Sequence, residues 1–126
     1  MSLSDDLVAL FSSDRVSTKP ADLVSASSDE SSCPAVPPDV VVWPLTTDEV
    51  RRVVQCAYTR NIPLTARGAG SSLEGNPIPV RGGIVLDLSR MNAVVAVHTE
   101  DLQVTVQPGI VYDHLNEHLK PYRLFF

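Results

Sequence analysis

Apolar positions recur along this chain with two different periods, and the changes of period mark its elements. Leu3, Leu7, Leu10 and Phe11 are helically spaced behind serines and two aspartates that suit a helix N-terminus, which predicts a short amphipathic helix over residues 2–11. From Ser12 to Asp39 the chain is rich in Ser, Pro and Asp and carries little periodicity, and three prolines between Cys33 and Pro38 exclude helix there. That stretch reads as a loop or an extended arm. Val40-Val41-Val42-Trp43 is an unbroken β-branched and aromatic run, the pattern of a strand buried on both faces in a parallel sheet, and Pro44 ends it.

Thr46-Thr47-Asp48-Glu49 fits a capping box, in which the Thr46 hydroxyl and the Glu49 carboxylate satisfy backbone donors left free by the first helical turn. Val50, Val53, Val54, Ala57 and Tyr58 then form one apolar stripe opposite Arg51, Arg52, Gln55 and Arg60, so the helix is expected to dock that stripe on the sheet. Asn61 and Pro63 stop it, and Ile62 to Ala66 gives a second short strand, making residues 40–66 a β-α-β unit. Beyond Gly83, Ile84-Leu86-Leu88 and Leu102-Val104-Val106 alternate with other residues as half-buried strands. Ala93 to Val97 adds another, joined to the last by a hairpin turn at His98 to Asp101. Val111, Leu115 and Leu119 mark one face of a final helix closed by Pro121.

Composition narrows what such a chain does. Its 126 residues suit one domain, able to remove roughly two thirds of the unfolded surface from water. With 44% hydrophobic and 20% charged residues it has the make-up of an ordinary globular chain, and no apolar run approaches the roughly 20 residues of a membrane span. The formal net charge of −5 and the scattered basic residues leave nucleic-acid binding without an electrostatic source. Cys33 and Cys56 form no C-x-x-C pair, and Met1 to Phe11 holds Asp5 and Asp6 but no basic residue. The expectation is a reduced protein of the cytoplasm, or of the mitochondrion if a transit peptide precedes these residues in a eukaryote.

Arg67 to Gly83 holds five of the six glycines, and its opening reads RGAGSSLEG. Two phosphate loops are excluded. The dinucleotide fingerprint G-x-G-x-x-G needs a glycine where Leu73 stands and must open into a helix, which Pro77 and Pro79 prevent. Gly70 and Gly75 have Walker spacing, but Asn76 and Pro77 stand where that loop needs Lys and Ser or Thr. What remains is a run of small residues whose backbone N–H groups can converge on a diphosphate, with Arg67 available to add charge. A loop with glycines at positive φ and no ligand fits the same residues, so the loop alone does not choose.

The surroundings of the loop extend the pattern. The stretches PPDVVVWPLTTDEVRRVV and IPLTARGAGSSLEGNPIPVRGGIVLDLSRMN, continued by TEDLQVTVQPGIVYDHLNEHL, resemble the FAD-binding domain shared by vanillyl-alcohol oxidase and p-cresol methylhydroxylase. Within that superfamily the GSSLEGNPIPVRGGIVLDLSRMN variant is most similar to D-lactate dehydrogenase and the glycolate oxidase FAD subunit, and the resemblance runs from about Asp29 to Phe126. It implies FAD as cofactor, with the diphosphate held by Arg67, Gly68, Ala69, Gly70, Ser71 and Ser72 and with Gly75 permitting the turn back. Relatives that bond flavin covalently often carry histidine where this chain has Ser71, so the resemblance implies noncovalent FAD. It further implies an oxidoreductase that converts D-2-hydroxy acids to 2-oxo acids. The family continues past the Phe126 position into a second flavin segment, a substrate cap and a portion with catalytic residues, so no catalytic residue is assigned here.

The expected fold is therefore α+β, with a β-α-β start, a glycine-rich diphosphate loop and mixed strands. Residues 1–38 are an N-terminal helix and extended arm, and 39–126 a partial FAD-binding domain of the p-cresol methylhydroxylase type, its first subdomain. A noncatalytic remnant that keeps the fold and binds no flavin is the alternative. A chain ending at Phe126 is expected to self-associate through exposed apolar surface and an open sheet edge. His114-Leu115-Asn116-Glu117-His118 spells the H-x-x-E-H zinc pattern, but no third ligand is identifiable, so it reads as a solvated helix face and no metal is expected. Cys56 reads as a small core or boundary residue, and Trp43 as packing rather than flavin stacking.

Overall fold

The computed structural model describes residues 2–126. Helix α1 (Leu3–Leu10) begins on a capping box: Ser2 Oγ accepts the Asp5 N–H at 3.2 Å and Asp5 Oδ2 accepts the Ser2 N–H at 3.0 Å. A short turn at Ser13–Arg15 leads to β1 (Val16–Ser17) and then to α2 (Pro20–Ser25). The reading of residues 12–39 as loop or arm missed both. Pro20 acts as the opening residue of a helix, where a missing N–H costs nothing, and the helix is too short to show a period.

Strand β2 (Val40–Val42), helix α3 (Thr47–Thr59), β3 (Leu64–Arg67) and β4 (Ile84–Asp87) follow. The sheet order is β1-β2-β4-β3, with β1 antiparallel to β2 and the other pairs parallel. The β-α-β unit thus leaves a gap of one strand, and β4 fills it after the long glycine-rich loop. The alternation at Ile84-Leu86 suggested a half-buried strand. Lying between β2 and β3, β4 instead buries Ile84, Val85 and Leu86 alike.

Both faces of the sheet are covered because successive side chains point to opposite sides. Val40, Val42, Ile84 and Leu86 pack with Leu7 of α1 and with Val53 and Ala57 of α3. On the other face Val41 and Val85 pack with Ala26 just past α2, joined by Leu23 and Trp43. The stripe on α3 is rotated from the one read in the sequence: Val54 and Tyr58 are exposed, while Val50 and Cys56 pack against the core. Helix α1 accounts for this, because it occupies the side of α3 that Cys56 faces.

Beyond the sheet, β5 (Val94–His98) and β6 (Gln103–Val106) form a separate antiparallel ribbon, so His98 closes a strand rather than opening the turn. Helix α4 (Tyr112–Leu119) buries Leu115 and Leu119, while Val111 is its exposed N-terminal cap residue. No helix among the described residues is long and apolar enough to cross a membrane.

At the start of α3, Thr46 Oγ1 accepts the Glu49 N–H at 3.2 Å as the cap requires. The Glu49 carboxylate accepts the Leu45 N–H at 2.6 Å and hydrogen bonds from Nη1 and Nη2 of Arg15, each at 2.7 Å, pinning the turn before β1 to this helix. Arg15 foremost, then the Leu45 amide, hold the Glu49 carboxyl below its ordinary 4.5 against desolvation. A depressed folded value means that the stabilisation is complete above the unfolded value and is lost as pH falls below 4.5 through the folded one. Arg15→Ala is expected to cost about 1–3 kcal/mol at neutral pH. Urea melts at pH 7 and pH 3 should show that variant losing less on acidification than the unaltered chain.

Candidate functional site

The carboxyl end of β3 delivers the chain into the glycine-rich loop, and in parallel sheets that end is where ligand crevices form. An open groove of about 270 Å³ lies there, lined by the consecutive residues Ala66 to Ser72 together with Asn76 and Pro77. Six of the seven expected residues, Arg67, Gly68, Ala69, Gly70, Ser71 and Ser72, are thus brought together in its lining. Gly75, the seventh, is outside the lining; its N–H donates to Asp29 Oδ2 at 2.8 Å, and its φ is +77°, a conformation that favours glycine.

The groove can admit a bulky anion. A side chain added at Gly68 would meet nothing within 4 Å, so the peptide there faces open space. Gly70 has φ +73°, and a Cβ would lie 2.1 Å from the Arg67 guanidinium, which is folded across it. Arg67 Nη1 donates to the Ser28 carbonyl at 2.7 Å. The loop's cation is therefore anchored to the N-terminal arm while it lines the groove. Small residues, accessible backbone, two serine hydroxyls and one guanidinium make a donor set suited to a diphosphate. The sequence reading missed Asn76 and Pro77, whose neighbouring position in the loop was the available signal, and it missed Asp29, which carries no periodic signal.

The arm and loop are further joined by the Glu30 N–H, which donates to the Ser72 carbonyl at 3.1 Å. The Ser31 hydroxyl foremost, then the amides of Ser31 and Gly75, hold the Asp29 carboxyl below its ordinary range against desolvation. Cys33 is an exposed free thiol beside Gly75, and Cys56 is free and half-buried. Trp43 packs on the second face of the sheet with the Arg90 guanidinium 4.9 Å from its ring centre. The His114 and His118 rings meet edge to face at 5.9 Å, and Glu117 pairs with Lys120 at 2.5 Å. Among the described residues no three His, Cys, Asp or Glu side chains gather closely enough to hold a metal ion.

Residues 38–126 match the family model described as an FAD binding domain. Over 89 residues the chain is 40% identical to the mitochondrial D-lactate dehydrogenase (cytochrome) of Arabidopsis thaliana, covering 71% of this chain and 16% of that protein. It is 38% identical over 74 residues to the glycolate oxidase subunit GlcD of Bacillus subtilis, covering 59% of this chain and 16% of that one. The chain therefore spans 16% of the length of these two relatives. A solved structure of p-cresol methylhydroxylase with substrate bound superposes with a TM-score of 0.85 at 25% identity, covering 96% of this chain and 24% of that one. With its mixed sheet, its glycine-rich loop at the end of β3 and these relatives, the chain belongs to the FAD-binding domain family of p-cresol methylhydroxylase-type flavoenzymes.

Proposed function

We propose that the groove at the end of β3 holds the diphosphate of noncovalently bound FAD. The chain then contributes this part of the cofactor site to an oxidoreductase that converts D-2-hydroxy acids of the lactate or glycolate type to 2-oxo acids. The observation that carries this reading is the unbroken run from Arg67 to Ser72 lining one groove, with space left open at Gly68. Backbone N–H groups of Gly68, Ala69 and Gly70 and the hydroxyls of Ser71 and Ser72 serve as donors, Arg67 supplies positive charge, and Gly75 turns the loop back. FAD, when bound, accepts the hydride removed from the hydroxyl-bearing carbon. The task of this chain is to hold and orient the cofactor.

The test is flavin retention. After incubation with FAD and removal of free ligand, the visible absorption of the chain is expected to show close to one flavin per chain, released intact on denaturation. Gly68→Val fills the open space with a branched side chain and should weaken FAD at least tenfold, while leaving the melting temperature nearly unchanged because nothing lies within 4 Å of that position. A wild-type chain that retains no FAD overturns the assignment of the groove in this chain and favours a noncatalytic, flavin-free role. The same reading includes self-association, since Phe125 and Phe126 are 88% and 79% exposed and β3 is an edge strand. Sedimentation velocity is expected to show dimers or larger species, and a stable monomer would count against it.

A further inference from the structure

We propose that Asp29 is a positioning residue for flavin binding, acting from the N-terminal arm through the backbone of the diphosphate loop. The inference rests on the groove being the diphosphate site. Three consecutive arm residues bond to the loop at different points. The Ser28 carbonyl accepts from Arg67 Nη1 at 2.7 Å, Asp29 Oδ2 accepts from the Gly75 N–H at 2.8 Å, and the Glu30 N–H donates to the Ser72 carbonyl at 3.1 Å. Both ends of the loop and its middle are thereby tied to one short segment that lies outside the residues matched by the family model.

Asp29 is the one of the three that acts through its side chain, and that side chain is itself held in place. Its second oxygen, Oδ1, accepts the Ser31 N–H at 2.9 Å and the Ser31 hydroxyl at 2.5 Å, so the carboxylate is oriented before it meets Gly75. Gly75 takes a φ of +77°, and its N–H is turned to the arm instead of into the groove. The carboxylate therefore contributes no donor to the ligand. It holds the turn that leads to Asn76 and Pro77, which line the groove together with Ala66 to Ser72.

Two physical effects predict opposite signs for its removal. By Coulomb's law alone, deleting a negative charge beside a diphosphate site tightens anion binding. Deleting the clamp loosens the loop in the free chain, so that binding must order it, and affinity falls. The structure favours the second, because the charge is already satisfied by two amides and a hydroxyl, and one of those amides, that of Gly75, belongs to the loop itself.

The experiment measures FAD affinity by flavin fluorescence quenching and amide exchange by NMR in the wild-type chain, Asp29→Ala and Asp29→Asn. Asp29→Ala is expected to bind FAD about tenfold more weakly and to exchange the Gly75 amide at least tenfold faster in the absence of ligand. Asp29→Asn, as uncharged as alanine but keeping one acceptor oxygen, is expected to recover part of both losses. A melting temperature unchanged across the three separates positioning from unfolding. Affinity in Asp29→Ala equal to or tighter than wild type overturns the proposal, and so does equal affinity of the alanine and asparagine variants. If the wild-type chain binds no FAD, the function proposed above fails. The exchange reading then decides alone: faster exchange at Gly75 retains Asp29 as the residue that sets the loop, and unchanged exchange removes it.

Discussion

Val53→Asp is expected to lower stability by about 4–5 kcal/mol, enough to consume much of the roughly 5–15 kcal/mol that holds a small domain folded. Val53 is fully buried between α3 and the sheet, among Leu7, Val40, Val42, Ile84 and Leu86. The substitution forfeits about 1.5–3 kcal/mol of apolar burial and places a carboxyl within a cluster of apolar side chains. Val54→Asp, one position along the same helix, is the control. Val54 is 47% exposed, so the same change there should move stability by only about 0.5 kcal/mol. Urea melts followed by circular dichroism read both. Equal effects would mean that α3 docks on a different face from the one described.

Gly83→Ala is expected to cost about 3 kcal/mol or more, measured in the same way. Gly83 has φ +75°, and a Cβ there would lie 2.2 Å from the Pro63 carbonyl oxygen. That oxygen accepts the Ile84 N–H at 2.9 Å, while the Gly83 carbonyl accepts the Asp39 N–H at 2.8 Å. Relief of the clash therefore requires parting β3 from β4 where their pairing begins, and it disturbs the entry to β2 as well. Gly82 shares the positive φ, at +67°, but a Cβ there would meet only the Asp39 carboxylate at 3.3 Å, a side chain that can swing away. Gly82→Ala should cost about 1 kcal/mol, the backbone strain alone. The two adjacent glycines look the same in the sequence, and only the packing of the strands distinguishes them.

The loop shows the same division. That Arg67 to Ser72 would form one contiguous loop after a strand was legible, because the glycines and the prolines behind them interrupt both helix and strand. That Arg67 would fold over Gly70 to reach Ser28, and that Asp29 would hold Gly75, was not legible. These partners are far apart along the chain, and polar residues in an aperiodic arm give no sign of where they will land.

Local chemistry in the sequence determined the elements: the capped helix at Thr46, the buried run at Val40, the turn-forming glycines, and through the quoted motifs the FAD-binding family. Each depends on neighbours within a few residues, where backbone preference and side-chain spacing act directly. Tertiary structure alone decided that β4 enters between β2 and β3, that α1 turns the buried face of α3 from Tyr58 toward Cys56, and that α2 covers the second face of the sheet. Those outcomes depend on which apolar surfaces meet across long sequence separations. Burial is rewarded by area and shape without regard to chain order, so the local pattern leaves the choice of partner open until the chain has packed.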